Sequence, residues 1–389
     1  MTAIDPEMLE NLRLAEELKR LKSGGFVTAE HVVHAKATLE LPKTNSNILA
    51  RIAFFLLGCF LFSSLGGLSS LVLLNLMDIF GSHYEIMLFF YAAIGFGMAE
   101  LLAAKYYYAY GLDDAFVIGC QLLFATGVGV MLDSATAGFL ALGVVGLLTY
   151  IRYVLAASAL FGVIGISGFF ASLVISDGVL SNGFLPFLML LVSVALFFGS
   201  RKLSGTERYM LYENGLGVVK ACSLILAYLS VNYLVVRQLS ESLMNVVVAP
   251  GEDIPLAILF YGFTFLIPAF YLVYAIKAKD RMFFIVGLLA VAFTVFTIRY
   301  YHSVLPIEMA LTIGGSLLFG VSYFFIRKIR NNDTGITFKP DRYTDSEALS
   351  YAQAVIANSH AHMKNVMPND SPMPFGGGGF SGGGAGENY

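Results

Sequence analysis

Tryptophan is absent from this 389-residue chain, cysteine occurs three times, and charged residues make up only 13% of it. Each scarcity excludes something. A soluble domain carries about 25% charge. With 57% hydrophobic residues and a mean hydropathy of +0.73, this chain lacks the polar surface needed to cover a core in water, so the expected solvent is lipid. Without tryptophan, anchoring at the membrane–water boundary falls to the 21 tyrosines. Cys59, Cys120 and Cys222 stand far apart inside apolar stretches. That spacing excludes a disulfide framework and a C-x-x-C metal site, and leaves them as small packing residues. A net charge of −3 lacks the basic face that a nucleic-acid partner requires. No HExxH, P-loop, GxSxG or dinucleotide-binding glycine motif occurs. The sequence therefore nominates no catalytic residue, metal ligand or cofactor. His31 and His34 with Glu30 read as a solvated helix face.

Long apolar runs are what the chain does have. A bilayer core of about 30 Å needs roughly 20 apolar residues per helix. Ten such spans are expected, at 48–76, 86–104, 114–132, 135–150, 153–175, 184–200, 215–236, 256–276, 282–300 and 306–326. The first is long and is expected to kink near Gly66-Gly67 or to tilt. The fold class is therefore all-α: a polytopic transmembrane helix bundle with lipid as its first partner. Basic residues alternate from loop to loop. Of 24 Lys and Arg, only Arg237 and Arg299 fall on the second side, which places both termini in the cytoplasm.

The flanks differ from the bundle. Residues 1–43 are expected to form a cytoplasmic helical hairpin. Asp5-Pro6-Glu7 opens its first helix, Gly24-Gly25 ends it, Thr28 caps the second and Pro42 stops it. This stretch is too polar for a signal peptide, so the first span is expected to act as an uncleaved anchor. The bundle occupies 44–330. Residues 331–374 form a linker and an amphipathic helix (344–365) opened by the capping box Thr344-Asp345-Ser346-Glu347. Residues 375–389 are a glycine-rich tail. A protein partner would dock through the hairpin or through 344–365.

Charge at membrane depth is costly and draws attention. Glu100, near the inner end of the second span, is expected to pair with Lys105 or to snorkel. Arg152 reads as a loop residue. Lys220, a turn and a half into the seventh span, is expected to snorkel inward. Arg299 and Glu308 flank one short loop and suit an outer-leaflet ion pair. Gln121 and Asn232 are the polar residues nearest mid-span. They either line a solute path or bridge helices by side-chain hydrogen bonds. Pro268 should kink the eighth span and free a carbonyl. Ser158/Gly162, Gly168/Ser172 and Ser316/Gly320 are small-xxx-small pairs that let helices approach.

The turn Gly25-Phe-Val-Thr-Ala-Glu30, followed by tightly looped spans and the segment Arg299-Tyr-Tyr-His-Ser-Val-Leu-Pro-Ile-Glu308 leading into a Gly-containing helix, resembles bacterial predicted multi-pass membrane proteins of unknown function. The resemblance covers about residues 10–75 and 290–328. It implies an inner-membrane architecture and no established activity. Two functions stay open. Ten spans with both ends inside suit a five-plus-five inverted repeat, the span count of the drug/metabolite transporter superfamily, and hence a small-solute transporter or permease. The soluble flanks suit a non-transporting scaffold, sensor or assembly partner. A membrane enzyme acting on lipids would need clustered interfacial acids, which the chain scarcely offers.

Overall fold

A computed structural model of the chain describes residues 2–23, 27–80, 84–204, 211–244 and 253–301, with isolated positions between 309 and 327. The structure is all-α, 85% helical, and contains no strand among the described residues. Two short helices lead: α1 (Pro6–Ser23) and α2 (Ala29–Thr38). Asp5 Oδ1 accepts the Glu7 amide at 3.0 Å, so the expected N-cap of α1 forms. The expected cap of α2 differs: Thr28 Oγ1 lies 2.7 Å from His31 Nδ1 and makes no bond to the helix backbone.

The bundle follows as α3 (Ile48–Phe80), α4 (Tyr84–Ala104), α5 (Leu112–Met131), α6 (Ala135–Tyr153), α7 (Ala156–Ile175), α8 (Leu185–Ser204), α9 (Glu213–Val231), α10 (Tyr233–Met244), α11 (Ala257–Ala278) and α12 (Arg281–Tyr301). Among the described residues, all of these except α10 are long and apolar enough to cross a membrane, nine in total. Only 11% (α3) to 44% (α5) of the residues in their apolar stretches are buried within the protein. Leu71, Leu191, Ile258 and Leu266 point outward. An apolar exterior of that extent is stable only in hydrocarbon, so the protein is a multi-pass membrane protein. The tenth expected span, 306–326, lies outside the described residues apart from isolated helical positions, as do the 344–365 helix and the tail.

The first expected span is helical through Gly66-Gly67 and on to Phe80, with Ser69 and Ser70 both donating to the Gly66 carbonyl at 2.8 Å. One expected span is corrected. The seventh does not continue to residue 236. It stops at Val231, and Asn232 takes an extended conformation before α10 begins.

Successive spans pack on one another, and α7 joins two sets by touching α5 and α6 on one side and α8 and α9 on the other. α9 then packs on α11 and α12. The up-and-down course gathers the loops at 105–111, 154–155 and 279–280 at one end. Lys43 is pinned there, its amide donating to Tyr106 O at 2.7 Å and its carbonyl accepting from the Tyr108 amide at 3.1 Å. The N-terminal segment docks at the same end: the Ala3 amide donates to Arg152 O at 2.7 Å, and Ile4 is buried among Ala99, Ala103, Val117 and Tyr153. Burial, with Asp114 nearby, pushes the Tyr108 phenol there up to about 12.

The tightest contact joins α6 and α7. The expected small-residue pairs in α7 contribute Gly162 and also Gly168, which seats the Phe139 ring of α6, while the backbone contact is Gly143 and Gly146 against Gly162 and Gly165. A Cβ on Gly165 would lie 2.1 Å from the Gly143 amide nitrogen, and one on Gly146 would lie 2.6 Å from that of Gly162. Gly165→Ala should therefore lower the thermal midpoint in detergent, at a cost of about 1–3 kcal/mol. Gly67→Ala, whose Cβ would meet nothing within 4 Å, should leave the midpoint unchanged or raise it slightly. Equal effects from the two would contradict the packing.

Candidate functional site

The residues nominated from the sequence sort into charge pairs at the span ends and two uncharged networks inside the bundle. Glu100 meets Arg152. The guanidinium donates from Nε to Oε1 at 2.5 Å and from Nη2 to Oε2 at 2.6 Å, and the Tyr153 hydroxyl donates to Oε1 at 2.5 Å. This fork geometry fixes direction as well as charge. It replaces the expected Glu100–Lys105 pair. It also corrects Arg152, which sits in the last turn of α6, not in a loop.

Beside it, Arg51 donates from Nε (2.8 Å) and Nη2 (2.6 Å) to Asp114 Oδ2. The turn before α5 makes room for this pair. Gly111 has φ +109°, and a Cβ there would lie 2.2 Å from Arg51 O, so only glycine fits. Asp113 Oδ1 holds the turn by accepting the amides of Tyr110 and Gly111.

Lys220 does not simply snorkel: its ammonium lies 2.5 Å from Asp280 Oδ2 and 5.5 Å from the centre of the Phe283 ring. Asp280 also caps α12 by accepting the amides of Met282 and Phe283. Burial opposes its ionisation, but the Lys220 ammonium and the two amides outweigh burial and hold the carboxyl below the usual range. Arg13 and Glu213 tie α1 to α9. These four pairs lie at one end of the bundle. Arg237 and Glu241, 3.1 Å apart, form a pair at the other.

Gln121 is fully buried. Its amide nitrogen donates to Thr149 Oγ1 at 2.7 Å and Ser158 Oγ at 2.6 Å, joining α5, α6 and α7. Asn232, also fully buried, holds the break between α9 and α10. Its Nδ2 donates to the Tyr228 hydroxyl at 2.9 Å. Its Oδ1 caps α10 through the Leu234 amide at 3.0 Å and accepts Thr297 Oγ1 at 3.2 Å.

That network continues to a carbonyl freed by proline. Pro268 lacks the amide that would bond Thr264 O four residues back. Thr294 Oγ1 of α12 lies 2.9 Å from Thr264 O and 2.9 Å from Ala290 O of its own helix, which share its one proton, and 2.8 Å from the Tyr228 hydroxyl. Thr264 Oγ1 in turn accepts the Tyr233 amide at 3.0 Å, which α10 leaves without a helical partner. Thr264, Thr294 and Tyr228 were not singled out in the sequence. Pro268 alone pointed there, because it fixes which carbonyl goes unbonded.

Arg299 is exposed in the last turn of α12, and its expected partner Glu308 lies outside the described residues. Among the described residues, no group of three or more His, Cys, Asp or Glu is placed to hold a metal. Chemically, the arrangement pairs charges at the span ends and bridges helices through buried polar groups, while Gln121 Oε1 and Asp114 Oδ1 stay buried without a hydrogen-bond partner.

Two measurements test this. Thr294→Val should cost about 1–3 kcal/mol by orphaning the Thr264 carbonyl. In a Pro268→Ala background, the restored amide supplies that carbonyl, so the same substitution should cost less. Equal costs would disprove the assignment. The second test is pH. A depressed Asp280 pKa contributes stability that is present above its unfolded value of 3.8 and is lost as pH falls through the folded value. The stability gap between wild type and Asp280→Asn should therefore be widest near neutrality and close below pH 3.8.

No protein-family model, curated protein or solved structure matches this chain.

Proposed function

We propose that this membrane protein is a static platform, a scaffold or assembly partner, and not a small-solute carrier. It carries its N-terminal helix pair on the charged face of the bundle. The observation that supports this reading is the use made of Gln121 and Asn232. Asn232 and the amide nitrogen of Gln121 are spent on bridging helices that a carrier must separate, tying α5 to α6–α7 and α9 to α12, and only Gln121 Oε1 is left without a partner in the two side chains.

Helix neighbours support it as well. Under a five-plus-five repeat α8 would correspond to α3. Yet α3 packs on both spans that follow it, while α8 packs on the one before and the one after. The excess of Lys and Arg supports a cytoplasmic charged face. The resemblance to bacterial multi-pass proteins supports the bacterial inner membrane as its location. The hairpin offers a surface to a protein partner: α1 is the docked helix, while most of α2, including Val33 at 68% exposure, faces outward.

Thiol accessibility tests the reading. With Cys59, Cys120 and Cys222 replaced by alanine, Ser158→Cys and Thr297→Cys should resist a membrane-impermeant thiol reagent in both right-side-out and inverted vesicles. Reaction at either would mean water reaches the networks, and would favour the carrier. Val33→Cys should react in inverted vesicles only; labelling in right-side-out vesicles would reverse the orientation.

A further inference from the structure

At the end opposite the charged face, a cavity of about 130 Å³ lies between α7, α8, α9 and α10. Its back wall is Leu185, Pro186 and Val236, all buried, and its rim includes Ile175 and Leu239, which are 42% and 37% exposed. Among the described residues lining it, the one polar side chain, Ser230, donates to Ala227 O of its own helix at 2.9 Å and asks for no polar ligand. Apolar cavities of this size stay dry and take apolar molecules; one of about 150 Å³ holds benzene.

The roof identifies what is available to enter. α10 is a short amphipathic helix: Val235, Val236 and Leu239 share one side, and Arg237, Gln238 and Glu241 the other. Such helices lie in the interfacial plane with the apolar side on the acyl boundary. Tyrosines mark the same level. Tyr233 stacks on Tyr261 at 3.9 Å and meets Tyr301 edge-on at 5.3 Å, and the Arg237 guanidinium lies 4.7 Å from the Tyr301 ring centre. Tyr233 is buried, with its hydroxyl donating to Asp253 Oδ1 and accepting from Arg237, so charged and phenolic groups gather at this end of the bundle, as they do at a membrane–water boundary. The apolar side of α10 is the one that roofs the cavity. Ala171, in the cavity wall, stands one turn, about 6 Å, below the end of α7. The cavity thus opens just inside the hydrocarbon.

We infer that this cavity is a binding site for one phospholipid acyl chain drawn from the leaflet opposite the charged face. The chain enters between Ile175 and Leu239 and packs its end against Leu185 and Val236.

The absence of tryptophan makes an inserted one a single reporter. Leu239→Trp at the rim and Leu266→Trp on the exposed face of α11 would each be titrated, in detergent, with a phosphatidylcholine brominated on its acyl chains. A site gives saturable quenching at Leu239→Trp at low lipid-to-detergent ratio, while Leu266→Trp follows the bulk ratio without saturating. Adding Ala171→Phe, which fills the cavity, should abolish the saturable part. Native mass spectrometry of the purified wild-type protein should show one retained phospholipid, lost in Ala171→Phe. Parallel, unsaturated quenching at both reporters, or a lipid retained equally by the filled variant, would overturn the inference. Should Ala171→Phe fail to fold, the contrast between the two reporters decides alone.

Discussion

Hydrocarbon supplies neither donors nor acceptors, and every polar decision in this fold follows from that. Each backbone group must be satisfied inside its own helix or by a neighbour. At two places among the described residues where the chain breaks the rule, a side chain arrives. The Val231–Tyr233 break exposes amides at the start of α10, and Asn232 and Thr264 accept them. Pro268 strands one carbonyl, and Thr294 donates to it. These two irregularities share one network, so a helix break and a proline that would each be costly alone offset one another across α9, α11 and α12.

Charge obeys the same rule at the span ends. The Glu100–Arg152 pair is partly exposed, at 30% and 40% of the side chains, so solvent screens it and its contribution to stability is modest. Its role is better described as positional. A bidentate fork, a tyrosine hydroxyl and the Ala3 amide on the Arg152 carbonyl all converge on the end of α6. The N-terminal segment is thereby set against α4, α5 and α6, and Arg13 with Glu213 carries the attachment across to α9.

The spans were legible in the sequence because the apolar requirement per helix is large and local, and proline, glycine and capping residues mark the ends. Pairings were not. Glu100 lies 52 residues from Arg152, and Lys220 lies 60 from Asp280. A nearer residue such as Lys105 competes for attention when only sequence distance is visible. The Asn232 break was hidden because one polar residue in an apolar run reads equally as a bridge within a continuous helix. The amphipathic pattern from Val235 to Glu241 is the signal that a new element had begun. The glycine spacing Gly143/Gly146 against Gly162/Gly165 was also present. Reading α7 alone, without asking what α6 placed opposite, concealed it.

The two sides of the bundle hold their helices by different means, and the difference has a mechanical consequence. α6 and α7 touch backbone to backbone at Gly143, Gly146, Gly162 and Gly165, a contact with little tolerance for sliding, and Gln121 adds hydrogen bonds to both. α9, α11 and α12 are held by hydroxyls and amides, directional but exchangeable one bond at a time. α7 belongs to both sets, so motion on the second side must pivot on a helix that the first side fixes. Any displacement would fall on α10 and the span ends around it. There the roof helix is tied at its start by Asn232 and Thr264 and by Arg237 on Tyr301, while its apolar side borders the cavity, where its contacts are incomplete.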